Sequence, residues 1–211
     1  YGYSLMAIGL GRLFGFHFPM NFNRPYEALN GRDFWRRWHM TLSFWIRDYL
    51  YLPLGGNDRY VRNILIVFVV CGLWHGAGWT FIIWGAYHAA FVLAYHGFRG
   101  PWDALPAPLQ RALTFTIVSV GWTLFLFDFQ GIAAFAHSLL GRGVDLMPLP
   151  TAEMWAVLAL VAVVCFAVRF ETIIERRATA GAGLRSAGMA ALFVATVLFI
   201  DRSNDFIYFR F

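Results

Sequence analysis

NILIVFVVCGLWHGAGWTFIIWGAYHAAFVLAYHGF, residues 63–98, runs for 36 residues between Arg62 and Arg99 without one Asp, Glu, Lys or Arg. A helix crossing a bilayer needs about 20 apolar residues, so the stretch is too long for one crossing and short for two. Gly72, Gly76 and Gly78 supply the reason. Glycine weakens a helix by about 1 kcal/mol relative to alanine, and three of them so close together predict a break at Gly72-Leu73-Trp74-His75-Gly76. Non-helical backbone at membrane depth is tolerated only against protein or a water-filled cavity. The spacing therefore predicts a broken or re-entrant helix pair over residues 64–96, with His75 lining a cavity, in an all-α integral membrane protein.

Composition supports this outside the stretch. Hydrophobic residues make up 59% of the 211-residue chain and charged residues 14%, with a mean hydropathy of +0.56. A soluble domain carries about a quarter charged residues, so this chain has too few to cover a water-facing surface. Its 19% aromatic content suits helices that meet headgroups through Trp and Tyr. All 17 basic side chains are Arg, and they stand at the borders of apolar runs, where the positive-inside rule expects them. They are not interleaved with polar sequence as on a nucleic-acid face, so no nucleic-acid partner is expected. Cys71 and Cys165 lie in apolar runs without a ligand spacing, which predicts neither a metal nor a redox site. Cys71 shares a helical face with His75, yet it reads as a small buried hydrophobe.

Charge-bounded apolar runs predict transmembrane helices over 112–127, 154–168 and 186–200, and a half-span or interfacial helix over 129–141. The Pro-rich stretch 97–108 and residues 141–150 read as connections. The chain opens at Tyr1 in what reads as the tail of an apolar segment, and it is expected to be the C-terminal part of a longer protein.

Residues 21–63 differ, with seven Arg against four acidic residues. Phe34, Trp35, Trp38, His39, Leu42, Trp45, Ile46, Tyr49 and Leu50 recur at helical spacing, while Arg36, Arg37, Ser43 and Arg47 fall opposite. The pattern predicts one basic amphipathic helix on the cytoplasmic membrane surface, between turns at 23–25 and 52–57.

Among residues able to do chemistry, His75 stands first, because an ionisable group inside a membrane is costly to bury without purpose. A neutral imidazole can take the proton from a hydroxyl as it attacks an acyl carbon, then return it to the leaving group. The structural alternative is an imidazole bonded to a carbonyl, joining two half-helices. His39 lies one turn from Trp35 and reads equally as packing or as function. His88, one turn after Trp84, is expected to hydrogen-bond across helices. His17, His96 and His137 are expected at the interface. Arg36 and Arg37 suit either a phosphorylated donor or anionic lipid. No phosphate loop, dinucleotide fingerprint or serine elbow occurs in the sequence.

Four motifs occur in order: Asn21-Phe-Asn-Arg-Pro-Tyr26, Asp33-Phe-Trp-Arg-Arg-Trp-His39, Leu42-Ser-Phe-Trp-Ile-Arg-Asp-Tyr-Leu-Tyr-Leu-Pro-Leu-Gly-Gly56 and Gly72-Leu-Trp-His-Gly-Ala77. Together with the closing Asp205-Phe-Ile-Tyr-Phe-Arg-Phe211, they resemble the membrane-bound O-acyltransferase family in its bacterial alginate O-acetylation branch. The resemblance is dense over residues 1–96. It implies a multi-helix, multi-pass inner-membrane enzyme whose catalytic histidine, in the Trp-His-Gly motif, is matched by His75. A second functional histidine, in the Arg-Trp-His motif, is matched by His39. Arg36, Arg37 and Trp74 become the candidate donor- or substrate-binding residues.

The resemblance further implies an O-acyltransferase with no bound cofactor or metal. An acyl group, usually acetyl, would come from a cytoplasmic thioester such as acetyl-CoA, and a periplasmic acetyltransferase-type partner would place it on a polysaccharide hydroxyl. A related branch exports D-alanine for teichoic acids. Leu5 stands where the family usually has an acid, in Gly2-Tyr3-Ser4-Leu5. Within the resemblance, D-alanyl or peptidoglycan acyl transfer by the same fold, or a copy that has lost activity, also fits; the broken helix read by itself fits a transporter or scaffold without chemistry.

Overall fold

The fold is seen in a computed structural model that describes residues 2–140 and 151–167. Among the described residues every regular element is helical. The chain forms two compact units, residues 1–145 and 146–211. In the first, α1 (Gly2–Leu13) is followed by α2 (Gly31–Arg37), α3 (Met40–Ile46), α4 (Tyr60–His75), α5 (Trp79–Gly97), α6 (Arg99–Asp103), α7 (Ala107–Leu126) and α8 (Phe129–Leu139). In the second, α9 spans Ala152–Ala167.

The helix break predicted around His75 is present. α4 ends at His75, residues 76–78 turn the chain, and α5 starts at Trp79 and runs back along α4. Between apolar helices in lipid there is little hydrophobic drive, so association depends on how closely the backbones approach. Two glycines permit that approach here. A Cβ on Gly72 would collide with the Phe81 carbonyl oxygen, and one on Gly85 with the Phe68 carbonyl oxygen. The two helices therefore touch backbone to backbone at reciprocal points. On the other side of α5, α7 packs through Gly121, and the Tyr87 hydroxyl donates to the Ile117 carbonyl at 2.8 Å. The turn before α4 is closed by the wholly buried Asn63, whose amide donates to the carbonyls of Gly56 (2.8 Å) and Leu54 (3.2 Å).

Two sequence expectations change. Residues 31–51 are not one amphipathic helix: α2 stops at Arg37, α3 starts at Met40, and residues 47–51 form a π-helical turn. The apolar spacing continues through the break, but only α2 uses it for the core, burying Phe34, while Phe44, Trp45 and Tyr49 beyond the break are exposed. The cause is an extended segment that takes over the helical hydrogen bonds. Asn23 N–H donates to the Arg37 carbonyl (2.9 Å) and Met40 N–H to the Asn21 carbonyl (2.8 Å).

Second, the helix expected over 112–127 starts earlier, at Ala107. Pro108 lies in its first turn, where a missing N–H removes no helical bond. The supposed connection 97–108 thus holds α6 and the start of α7. At 20 residues, α7 is the one described helix long and apolar enough to cross a membrane. The half-span or interfacial helix expected over 129–141 is present as an 11-residue helix capped by Asp128, which accepts from Gly131 N–H at 2.7 Å; at about 1.5 Å per residue it is too short to span. α9 overlaps the run read at 154–168, and the helix expected over 186–200 lies outside the described residues.

Candidate active site

Both sequence-selected histidines stand at helix breaks. His75 is the last residue of α4 and half-buried. Rings from three helices meet it edge to face: Trp74 at 4.8 Å, Trp84 of α5 at 5.4 Å and Phe125 of α7 at 5.0 Å between centroids. Such edge-on packing fixes the imidazole plane and keeps water from its flanks. The loop behind it is tight, because a Cβ at Gly76 would strike the Phe81 ring. Trp74 is 62% exposed and forms a lip beside the histidine.

His39 precedes α3 with a left-handed backbone (φ 46, ψ 51), a conformation that costs a non-glycine residue roughly 1–2 kcal/mol. Asn21 holds it there: its side-chain oxygen accepts from Thr41 N–H (3.2 Å) and from the Thr41 hydroxyl (2.9 Å). Strain kept in place by neighbouring bonds is common where geometry serves function. Asn21→Ala removes both bonds. The expected result is a loss of about 1–2 kcal/mol of stability with a drop in activity, read by detergent melting and turnover of the full-length protein.

The His39 and His75 imidazoles lie close enough to interact electrostatically. Burial pushes the His39 imidazole below its ordinary range, so it is neutral at pH 7. The sign of the linkage follows from that direction. An unfolded chain takes up a proton at this group before the folded one does, so the stability is complete above the unfolded value near 6.5 and is lost as pH falls below it. Detergent melting between about pH 8 and pH 5 is expected to show an acid loss that is smaller in His39→Gln.

Behind Trp84 lies His88, with no exposed surface. Its ring meets Trp35 (5.1 Å) and Trp84 (5.0 Å) edge to face, and Gly121 is so close that a Cβ there would sit 2.6 Å from Nε2. Neither ring nitrogen has a hydrogen-bond partner among the described residues. The cross-helix hydrogen bond expected for His88 is thus absent, and the side chain acts as an aromatic wedge. Trp35, Trp84 and Trp122 form a layer joining both histidine breaks, with Trp122 also against Trp38 at 5.0 Å. These tryptophans escaped the sequence reading, since nothing local ties residue 122 to residue 38. Asn21 escaped it too, although its place in the Asn-x-Asn-x-Pro turn was visible.

The Arg36–Arg37 pair is split. Asn30 accepts from Asp33 N–H (2.8 Å) and Asp33 accepts from Leu29 N–H (3.1 Å), a reciprocal cap on α2. Arg37 then binds Asp33 at 2.8 Å. Arg37 therefore secures α2 and is not available as half of a phosphate clasp. Arg36 projects instead into a cleft with Arg32 and Arg99. Of the expected residues, His39 and His75 stand at separate helix breaks within electrostatic range of one another; Trp74 borders His75; Arg36 and Arg37 face elsewhere.

Comparison with known proteins adds an independent finding. The profile of the family described as MBOAT, membrane-bound O-acyltransferase family, matches residues 1–139. A probable alginate O-acetylase from Azotobacter vinelandii is 49% identical over 131 residues, covering 59% of this chain and 26% of that protein. A peptidoglycan O-acetyltransferase from Helicobacter pylori is 46% identical, covering 59% and 25%. A teichoic acid D-alanyltransferase from Bacillus subtilis is 35% identical, covering 59% and 36%. The chain spans about a quarter to a third of the length of these relatives.

Proposed function

The chain belongs to the membrane-bound O-acyltransferase family, and from that premise we propose that its full-length protein is a multi-pass O-acyltransferase of the bacterial inner membrane. It moves an acyl group, acetyl in the simplest case, from a cytoplasmic thioester such as acetyl-CoA to hydroxyls of an extracytoplasmic polysaccharide such as alginate. A periplasmic acetyltransferase-type partner completes the delivery. The observation that supports this most is the placing of His75 and His39 at two helix breaks that one aromatic layer joins.

In this reading, His75 takes the proton of the attacking hydroxyl while its oxygen bonds to the thioester carbonyl carbon. The carbon–sulfur bond then breaks, and the proton passes from His75 to the departing thiolate. His39, neutral and held off its helix, aligns the donor beside it. Trp74, at the rim, borders the path by which a substrate enters.

The relatives' names favour acetyl over D-alanyl transfer, since the two acetylating relatives are 49% and 46% identical and the D-alanylating one 35%. Peptidoglycan is the second acceptor reading, carried by the Helicobacter pylori relative. The test is to supply membranes holding the full-length protein with acetyl-CoA labelled in the acetyl group, then to count label in polysaccharide and in peptidoglycan. Label in neither polymer refutes acetyl transfer. A transporter or scaffold would retain its activity in His75→Ala, which separates that class from an enzyme.

A further inference from the structure

At the end of α5 remote from His75, two adjoining clefts open on the surface. One, of about 260 Å³, is lined by Arg32, Arg36, Arg99 and Tyr95. The other, of about 300 Å³, shares Arg32 and adds Asn57, Tyr60 and His96. We propose that this double cleft binds a phosphate-bearing group, with Arg32 between the two halves.

Charge accounting comes first. Among the described residues, neither Arg32 nor Arg36 forms a salt bridge with a carboxylate. The carboxylate of Asp33, the acid in the cleft wall, is already committed to Arg37 and to the Leu29 N–H. Asp103 is shared by Arg99 (3.2 Å) and by the Tyr95 hydroxyl, which donates to it at 3.1 Å. The cleft therefore carries uncompensated positive charge.

Rigidity comes second. Trp102 Nε1 donates to the Leu29 carbonyl at 2.8 Å, fastening α6 to the start of α2, and the same α2 is capped by Asn30 and Asp33. Arginines on fixed walls lose less freedom on binding than arginines on a mobile surface. Their planar forks match phosphate oxygens in pairs. Two clefts joined at one arginine suit a ligand with two phosphate groups, or a phosphodiester with a polar arm, better than they suit a single carboxylate.

Two sources offer that chemistry. One is the nucleotide phosphates of the thioester donor, an assignment that rests on the proposed function. The other is the headgroup of an anionic membrane lipid. The distance along α5 from Trp79 to Tyr95 is about 24 Å at about 1.5 Å per residue, so the cleft acts by anchoring a ligand and not by touching the reacting atoms.

The experiment uses the full-length protein in lipid nanodiscs, as wild type, as Arg32→Gln with Arg36→Gln, and as Arg111→Gln, an exposed arginine outside the cleft. Coenzyme A binding is measured by calorimetry. Melting is measured in phosphatidylcholine discs with and without roughly 30 mol% phosphatidylglycerol. If the donor is the ligand, the double variant binds coenzyme A about tenfold or more weakly while Arg111→Gln stays at the wild-type value. If lipid is the ligand, the stabilisation by phosphatidylglycerol disappears in the double variant alone. Either result supports the proposal and identifies the source; no change in both readouts overturns it. If the Gln pair fails to accumulate, Arg32→Lys with Arg36→Lys answers the same question, since it keeps charge but loses the fork. Binding weakened about threefold, or a halved lipid effect, supports the proposal, and neither change overturns it. Both readouts are independent of turnover, so inactivity toward acetyl-CoA leaves this result standing, and the reverse holds as well.

Discussion

His75→Ala is expected to lower acyl transfer by the full-length protein by about 10²–10⁴-fold, the range ordinarily supplied by a positioned general base. The large effect follows from the lack of a substitute among the described residues that touch the ring. The rings that touch His75 belong to Trp74, Trp84 and Phe125, and none of them can accept a proton from a hydroxyl. His39 approaches within electrostatic reach, but its backbone is fixed by the Asn21 bonds and cannot swing to the vacated place. Protein should still accumulate, because His75 is half-buried at the end of a helix and its loss leaves the α4–α5 contact intact. His75→Gln is the companion variant: it preserves bulk and hydrogen bonding without a base. Acetyl incorporation is measured at matched protein level in membranes. Wild-type incorporation in either variant would remove His75 from the mechanism.

Gly85→Ala is expected to have the largest structural effect, a destabilisation of about 3 kcal/mol and a marked fall in folded protein in the membrane. The added methyl would meet the Phe68 carbonyl oxygen, with the Phe68 carbonyl carbon at 2.9 Å and the Val69 Cα at 3.2 Å. A side chain in the way could rotate aside, but backbone cannot, so α4 and α5 must separate along the hairpin that carries His75. In lipid, lost helix–helix packing is not recovered through the hydrophobic effect. Gly97→Ala on the same helix is the control, since no atom lies within 4 Å of its added Cβ. The measurements are membrane yield and detergent melting; equal melting of the two variants would refute the backbone-contact account.

The break at His75 was legible because glycine is a local signal, and Gly72, Gly76 and Gly78 needed no distant partner to be read. The break at His39 was not. The apolar period through Trp35, Trp38, His39 and Leu42 continues across it, and the bonds that interrupt the helix come from Asn21 and Asn23, some 18 residues upstream. Periodicity records which residues prefer a common face; it is silent about an extended segment that competes for the same hydrogen bonds. The start of α7 was misplaced for a different reason. A charge, Arg111, marks an apparent boundary of the apolar run, although proline in a first turn is a good helix start. Arg36 and Arg37 were read as one pair because they are neighbours in sequence, yet successive helical residues point about 100° apart. The aromatic layer of Trp35, Trp84 and Trp122 lies beyond any local rule, since its members come from three separate helices.

The short link 76–78 between α4 and α5 also has an electrical consequence. A helix carries a dipole, with a partial negative charge at its C-terminus and a partial positive charge at its N-terminus. α4 ends at His75 and α5 begins at Trp79, so opposite poles face the same small space. The negative pole favours the imidazolium that forms as a base accepts a proton. The positive pole favours the oxyanion that forms on the attacked carbonyl. Each is worth roughly 0.3–1 kcal/mol at an exposed site and more where water is excluded. A continuous helix through residues 60–97 would have put both poles at its far ends; interrupting it brings them together where the proposed acyl transfer would create its two charges.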